Sequence, residues 1–98
     1  MRLIIYVDID ETICITPSDR DYFKAKPIFE NIQKINKLFD DGNVIIYWTA
    51  RGSGSGIDWT EVTEDQFDQW GVKYHEIKFG KPTFDLLIDD RTKRIEEI

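Results

Sequence analysis

Asp8 and Asp10 stand two residues apart in the run Val7-Asp8-Ile9-Asp10-Glu11-Thr12. Carboxylates this close repel, and both stay ionised cheaply only where a cation or nearby donors offset them. A second acidic pair, Asp89-Asp90, closes the run Asp85-Leu86-Leu87-Ile88. Between the two pairs lie Thr49, after Val44-Ile45-Ile46-Tyr47-Trp48, and Lys81, in Phe79-Gly80-Lys81-Pro82. Clustered carboxylates without His or Cys select a hard, oxygen-seeking cation. Mg2+ fits best, since it takes one or two carboxylates plus phosphate and water. A carboxylate such as Asp8 can attack phosphorus and form an aspartyl-phosphate. Asp10 can protonate the leaving oxygen and later take a proton from water. Lys81 would offset the crowded negative charge, and Thr49 would donate to a phosphoryl oxygen. Phosphoryl transfer needs mostly this positioning and charge compensation.

These residues need elements that bring them to one rim. The apolar, β-branched run from Arg2 to Val7 reads as a buried strand, and open α/β sheets bind ligands at carboxyl ends of strands. The β-prone pieces on either side of Pro17-Ser18-Asp19-Arg20 predict a small hairpin over the site. Pro27 opens a helix over 27–41, with Ile28, Ile32, Ile35 and Phe39 at helical spacing and Gly42 as its cap. A second strand runs from Asn43 to Trp48, then a flexible Gly/Ser connector over 52–56. It lacks the Lys and spacing of a phosphate-binding Walker loop. Trp59, Val62, Phe67 and Trp70 stripe a second helix over 59–70, which Gly71 stops. An edge strand follows over 72–77, a buried strand over 85–88, and the start of a last helix from Thr92. Parallel strands joined by helices give a three-layer α/β sandwich with all carboxyl ends on one rim. That rim gathers Asp8, Asp10, Thr49, Lys81, Asp89 and Asp90.

The 98 residues make one domain, 1–98, with 41% hydrophobic and 33% charged residues. A net charge of −6 argues against a nucleic-acid or anionic-membrane surface. The lone Cys14 has no disulfide partner within the chain, which points to a reducing, cytoplasmic setting, and it reads as a small buried hydrophobe. No run is long enough for a membrane span. His75 has no Cys or second His to join it at a metal.

The motifs resemble those of the haloacid dehalogenase superfamily, in its phosphatase branch, over nearly the whole chain. Val7-Asp8-Ile9-Asp10-Glu11-Thr12 looks like its first motif, Thr49 its second, Lys81 its third and Asp89-Asp90 its closing acidic pair. The resemblance implies a minimal parallel sheet of about four strands in the order 4-1-2-3, with a flap hairpin and no cap domain. It makes Asp8 the nucleophile and Asp10 the acid/base, with Thr49 and Lys81 completing the catalytic set. Mg2+ would be held by Asp8, the Asp10 main-chain carbonyl and the Asp89/Asp90 pair, with Asp90 in direct contact and Asp89 in support. Thr49, Ala50, Arg51 and Lys81 would surround the substrate phosphate, although Arg51 and Arg91 could equally pair with nearby acids. Glu11 departs from the family, which often has Gly there; a positive φ at Glu11 would strain it by about 1 kcal/mol.

The arrangement is similar to small capless phosphatases of capsular and lipopolysaccharide sugar synthesis. That implies a small phosphomonoester, first of all a sugar phosphate, as substrate. A nucleotide or nucleic-acid end phosphatase is the alternative enzyme, and the acidic balance argues against it. A phospho-accepting receiver or a non-catalytic binding domain is the alternative of another class. Asp10 counts against both, because neither needs a proton donor beside the leaving group. With 13% aromatic residues in so small a domain, Trp59, Trp70, Tyr22 and Phe23 exceed what the core can hide. This predicts a homo-oligomer with Tyr22 and Phe23 near a subunit contact or the mouth of the site.

Overall fold

The structure is a computed structural model that describes residues 2–98. In chain order its elements are β1 (Ile4–Val7), β2 (Cys14–Ile15), β3 (Lys26–Pro27), α1 (Phe29–Asp40), β4 (Val44–Trp48), α2 (Thr60–Trp70) and β5 (Glu76–Lys78). Single 3-10 turns lie at Tyr22–Lys24 and Ile95–Glu97. β1, β4 and β5 form one parallel sheet in that order, with Ile4 opposite Val44 and Tyr47 opposite Ile77. β2 and β3 pair antiparallel as a separate small hairpin, the predicted flap. Its second strand falls at Lys26–Pro27 rather than before Ala25, so Pro27 closes the flap and α1 begins only at Phe29.

Side chains alternate along a strand, so one face of the sheet carries Ile5, Val7, Ile45, Tyr47 and Ile77. These pack with Ile32 and Ile35 of α1 and Phe67 of α2 into the core. Right-handed crossovers that step the same way across a sheet put both helices on the same face. Among the described residues no α-helix covers the other face, which carries Ile4, Tyr6, Ile46 and Trp48. One chain is therefore two layers deep where three were expected. The Tyr47 and Phe67 rings meet edge-on, 4.8 Å between centroids, at the centre of the core. The Tyr47 hydroxyl is buried there without a partner among the described residues.

The strand expected over 85–88 does not form. Among the described residues no backbone group of 84–88 bonds another backbone group, and Leu86 and Ile88 are 74% and 87% exposed. β1 is thus an outer strand of the sheet. Its residue Ile4 is 70% exposed. No helix among the described residues is long and apolar enough to cross a membrane.

Candidate active site

The turn after β1 is built around two buried anchors. Ile9 and Ile13 are fully buried, and the N–H of Ile13 bonds the Ile9 carbonyl at 2.9 Å. Burying Ile9 leaves the residues on either side of it, Asp8 and Asp10, at the carboxyl rim of the sheet. Glu11 takes the left-handed conformation, φ 64°, that lets its N–H reach the Cys14 carbonyl at 2.8 Å.

Asp8 is the open carboxylate. Its side chain is 40% exposed, Lys81 Nζ lies 3.2 Å from Oδ1, and the Thr12 hydroxyl donates to Oδ2 at 3.4 Å. Lys81 is held from several sides. Its N–H bonds the Thr49 carbonyl at 3.0 Å, and its ammonium lies 5.6 Å from the centre of the Trp48 ring. The Gly/Ser run expected as a loose connector is a bonded turn. The Gly56 N–H donates to Gly52, and the Ser53 hydroxyl donates to the Lys81 carbonyl at 2.8 Å. Gly52 cannot be otherwise: it has φ 81°, and a Cβ there would sit 2.1 Å from the Ile57 carbonyl oxygen.

Asp10 is the clamped carboxylate. Arg51 Nε and Nη2 reach it at 3.0 Å each, and the Thr16 hydroxyl and Cys14 thiol also donate to it. Burial works to raise its pKa, but the Arg51 hydrogen bonds and charge, with Thr16 and Cys14, outweigh that and hold the carboxyl below the usual range. The same burial, with Asp10 beside it, pushes the Cys14 thiol up to about 12. Arg51 spends its remaining donors on Thr63 at 3.0 Å and Gln66 at 2.7 Å of α2 and on the Cys14 sulfur. Its side chain is fully buried. All five N–H groups are engaged within the chain, so Arg51 positions Asp10 and has no donor left for a substrate phosphate.

A cleft of about 620 Å³ opens above these residues. Asp8, Asp10, Ala50, Arg51 and Lys81 border it, so five of the eight residues proposed from sequence share one concave site. Thr49 lies beneath the rim, 1% exposed, where its hydroxyl accepts the Arg51 N–H at 3.1 Å. Asp89 and Asp90 do not border the cleft. They lie on the exposed segment, where Asp89 accepts the Arg91 N–H at 2.9 Å. Among the described residues no three His, Cys, Asp or Glu side chains come together as a metal site. Of the expected Mg2+ ligands, Asp8 lies at the cleft beside Lys81, the Asp10 side chain is held by Arg51, and the closing pair Asp89–Asp90 stands apart on the exposed segment.

Sequence reasoning missed Thr63, Gln66 and Thr16, and it placed Tyr22 at a contact or the mouth of the site without its tie to Arg51. Thr63 and Gln66 are buried polar residues on a helix face that a hydrophobic stripe assigns to apolar side chains. The Tyr22 ring faces the Arg51 guanidinium at 4.8 Å, and the Gln66 amide donates to the Tyr22 carbonyl at 2.6 Å, tying the flap to α2. The signal was Thr63 and Gln66 three residues apart, downstream of an arginine at a strand end.

An open parallel sheet with its acids on a turn at the carboxyl rim is the α/β plan in which ligands bind outside the strand ends. A Vibrio cholerae protein solved as a structural-genomics target shares this fold. It is 28% identical, with a TM-score of 0.84 over 99% of this chain and 86% of that one. No protein-family model matches the sequence, and no curated protein matches it.

Proposed function

We propose that the chain is a phosphomonoester hydrolase of the haloacid dehalogenase type, with Asp8 as nucleophile. The observation that carries the reading is an exposed Asp8 carboxylate at the base of a cleft, oriented by Lys81 at 3.2 Å and by Thr12, with Asp10 two residues on. The strands β1, β4 and β5 stand in the 1-2-3 part of the expected 4-1-2-3 order.

A carboxylate oxygen of Asp8 attacks phosphorus, the bond to the leaving oxygen breaks, and that oxygen leaves as an alcohol once protonated. Water then attacks the acyl phosphate, releases inorganic phosphate and restores Asp8. Lys81 compensates charge on the nucleophile and the transferred group. Asp10, held below the usual carboxylate range, rests ionised, which suits the second half, where it takes the proton from water. The same clamp makes it a reluctant acid in the first half. Aryl phosphates, whose leaving groups need little protonation, should turn over faster than alkyl phosphates. Mg2+ belongs to this reading once Asp89 or Asp90 joins Asp8.

The cleft wall favours a sugar phosphate. Trp59 and Tyr22 meet edge-on at 5.0 Å, and with Phe84 they offer ring surface to a pyranose, while Arg20 offers charge. The test is phosphate release from a panel of sugar, alkyl and aryl phosphates with Mg2+. Asp8→Asn should lower turnover by about 10³-fold or more with an unchanged circular dichroism spectrum. Turnover within tenfold of wild type in that variant would end the reading.

A further inference from the structure

Three features of the sheet fit one another. The first is the outer edge of β1. The Leu3 carbonyl bonds the Val44 N–H at 2.8 Å, so by the alternation of a parallel ladder the N–H and C=O groups of Ile4 and Tyr6 point to the edge that no strand covers. The run from Leu3 to Val7 carries no Lys, Pro or inward charge to blunt that edge, the usual protection of an outer strand. The second is the segment Phe84-Asp85-Leu86-Leu87-Ile88, four of whose residues are apolar and exposed, with its backbone unpaired among the described residues. The third is that Asp89 and Asp90 follow this segment directly, as Asp8 follows β1.

Within one chain the segment cannot close the edge in parallel. Lys81 is pinned at the carboxyl rim by Asp8 and by the Thr49 carbonyl. A parallel strand along β1 must start at the opposite rim, about 13 Å lower, after passing around a sheet face. The four steps from Lys81 to Asp85 span at most about 14 Å fully extended, and parallel crossovers take roughly a dozen residues or more. An antiparallel return would satisfy the backbone but carry Asp89 and Asp90 away from Asp8.

We infer that two copies exchange these segments: residues 84–88 of each add as a parallel strand to the outer edge of β1 of the other, and so deliver Asp89 and Asp90 to the partner's Asp8. The exchange is reciprocal, so a two-fold axis covers the β1 edge of both copies and uses both segments, and the exchange ends at two chains. It completes the 4-1-2-3 sheet with the fourth strand supplied in trans. It also brings to the rim the acids that one chain fails to bring. The part given to the acid pair rests on the phosphatase reading; the strand exchange does not.

Two measurements on the full-length chain separate these. Light scattering at tens of micromolar should give the mass of two chains. Leu86→Pro and Leu87→Pro remove adjacent backbone N–H groups, one of which must point at β1, so at least one of them should reduce the mass to a single chain. Both side chains are exposed in the single chain, so the helical signal in circular dichroism should be kept. A wild-type monomer, or a dimer that survives both substitutions, overturns the exchange, including the case in which two β1 edges pair with each other. The second measurement mixes Asp8→Asn chains with chains carrying Asp89→Asn and Asp90→Asn, after joint unfolding and refolding. Exchange gives mixed dimers one intact site, restoring about a quarter of the wild-type rate from two inactive parents. No restoration, with an active wild type and mixed dimers present, places the acid pair in its own chain's site and overturns its delivery in trans. A wild-type dimer that loses half its mass on proline substitution but releases no phosphate keeps the exchange and ends the phosphatase reading.

Discussion

Asp8 and Asp10 differ above all in the cation beside each, and that difference sets how open each carboxylate is. Lys81 leaves Asp8 partly open to the cleft, whereas Arg51 encloses Asp10 with its own guanidinium and, through Thr63 and Gln66, with α2. Replacing one member of a buried ion pair leaves the other charge uncompensated, so Asp10→Asn should cost about 3 kcal/mol of stability, read as a lower urea midpoint. The pair also sets a pH limit. Because the folded pKa of Asp10 is depressed, its contribution is fully present above the ordinary carboxylate value of 3.8. It is lost as pH falls through the lower folded value. The wild type should therefore lose stability below about pH 4, and Asp10→Asn should lack that part of the acid limb in a pH series of melts. Cys14, with its thiol pushed up to about 12, should not react with a thiol reagent at pH 8 until denaturant is added. Labelling of the native chain at the rate of a free thiol would mean that the Asp10–Arg51 enclosure opens in solution.

At the scale of elements, periodicity and punctuation were legible where each element answers to its own sequence. The Ile32 and Ile35 spacing marks α1, Gly71 stops α2 in the left-handed conformation, and the β-branched runs mark β1 and β4. Asp8, Asp10 and Lys81 were legible because a strand or loop of readable type ends beside each. What could not be read depends on partners distant in sequence. Arg51 looks like an anion binder until Asp10, 41 residues earlier, takes its fork. Thr49 reads as an open rim residue, yet its side chain is buried, with the hydroxyl oxygen accepting the Arg51 N–H. The run 85–88 has the apolar pattern of a strand, but pattern says nothing about whether its connection is long enough to reach an edge. The Gly/Ser run reads as flexible from composition, yet Gly52 is a fixed corner. Gly52→Ala should cost about 2 kcal/mol or more through its positive φ and the clash with Ile57, and should weaken the hold on Lys81. Thermal melts and phosphate release measure the two effects, and an unchanged melting temperature would mean that the loop reshapes freely.

The whole molecule is a sheet with both described helices on one face and exposed apolar side chains toward the β1 edge of the other. Ile4, Tyr6 and the segment 84–88 put a band of apolar surface on a chain of 98 residues, the size class in which one core alone gives modest stability. If two copies share strands, folding is linked to association. The melting temperature should then rise with protein concentration over a hundredfold range, as mass action requires. Calorimetry at several concentrations measures this, and a midpoint independent of concentration would speak for a self-sufficient monomer. The short passage from Lys81 to Asp85 reaches beyond architecture. A catalyst whose acids come from a second copy responds to its own abundance: well below the dimer dissociation constant, doubling the chain quadruples the paired sites. Turnover would then follow the square of expression, remaining negligible while the chain is scarce and becoming proportional only once it is plentiful.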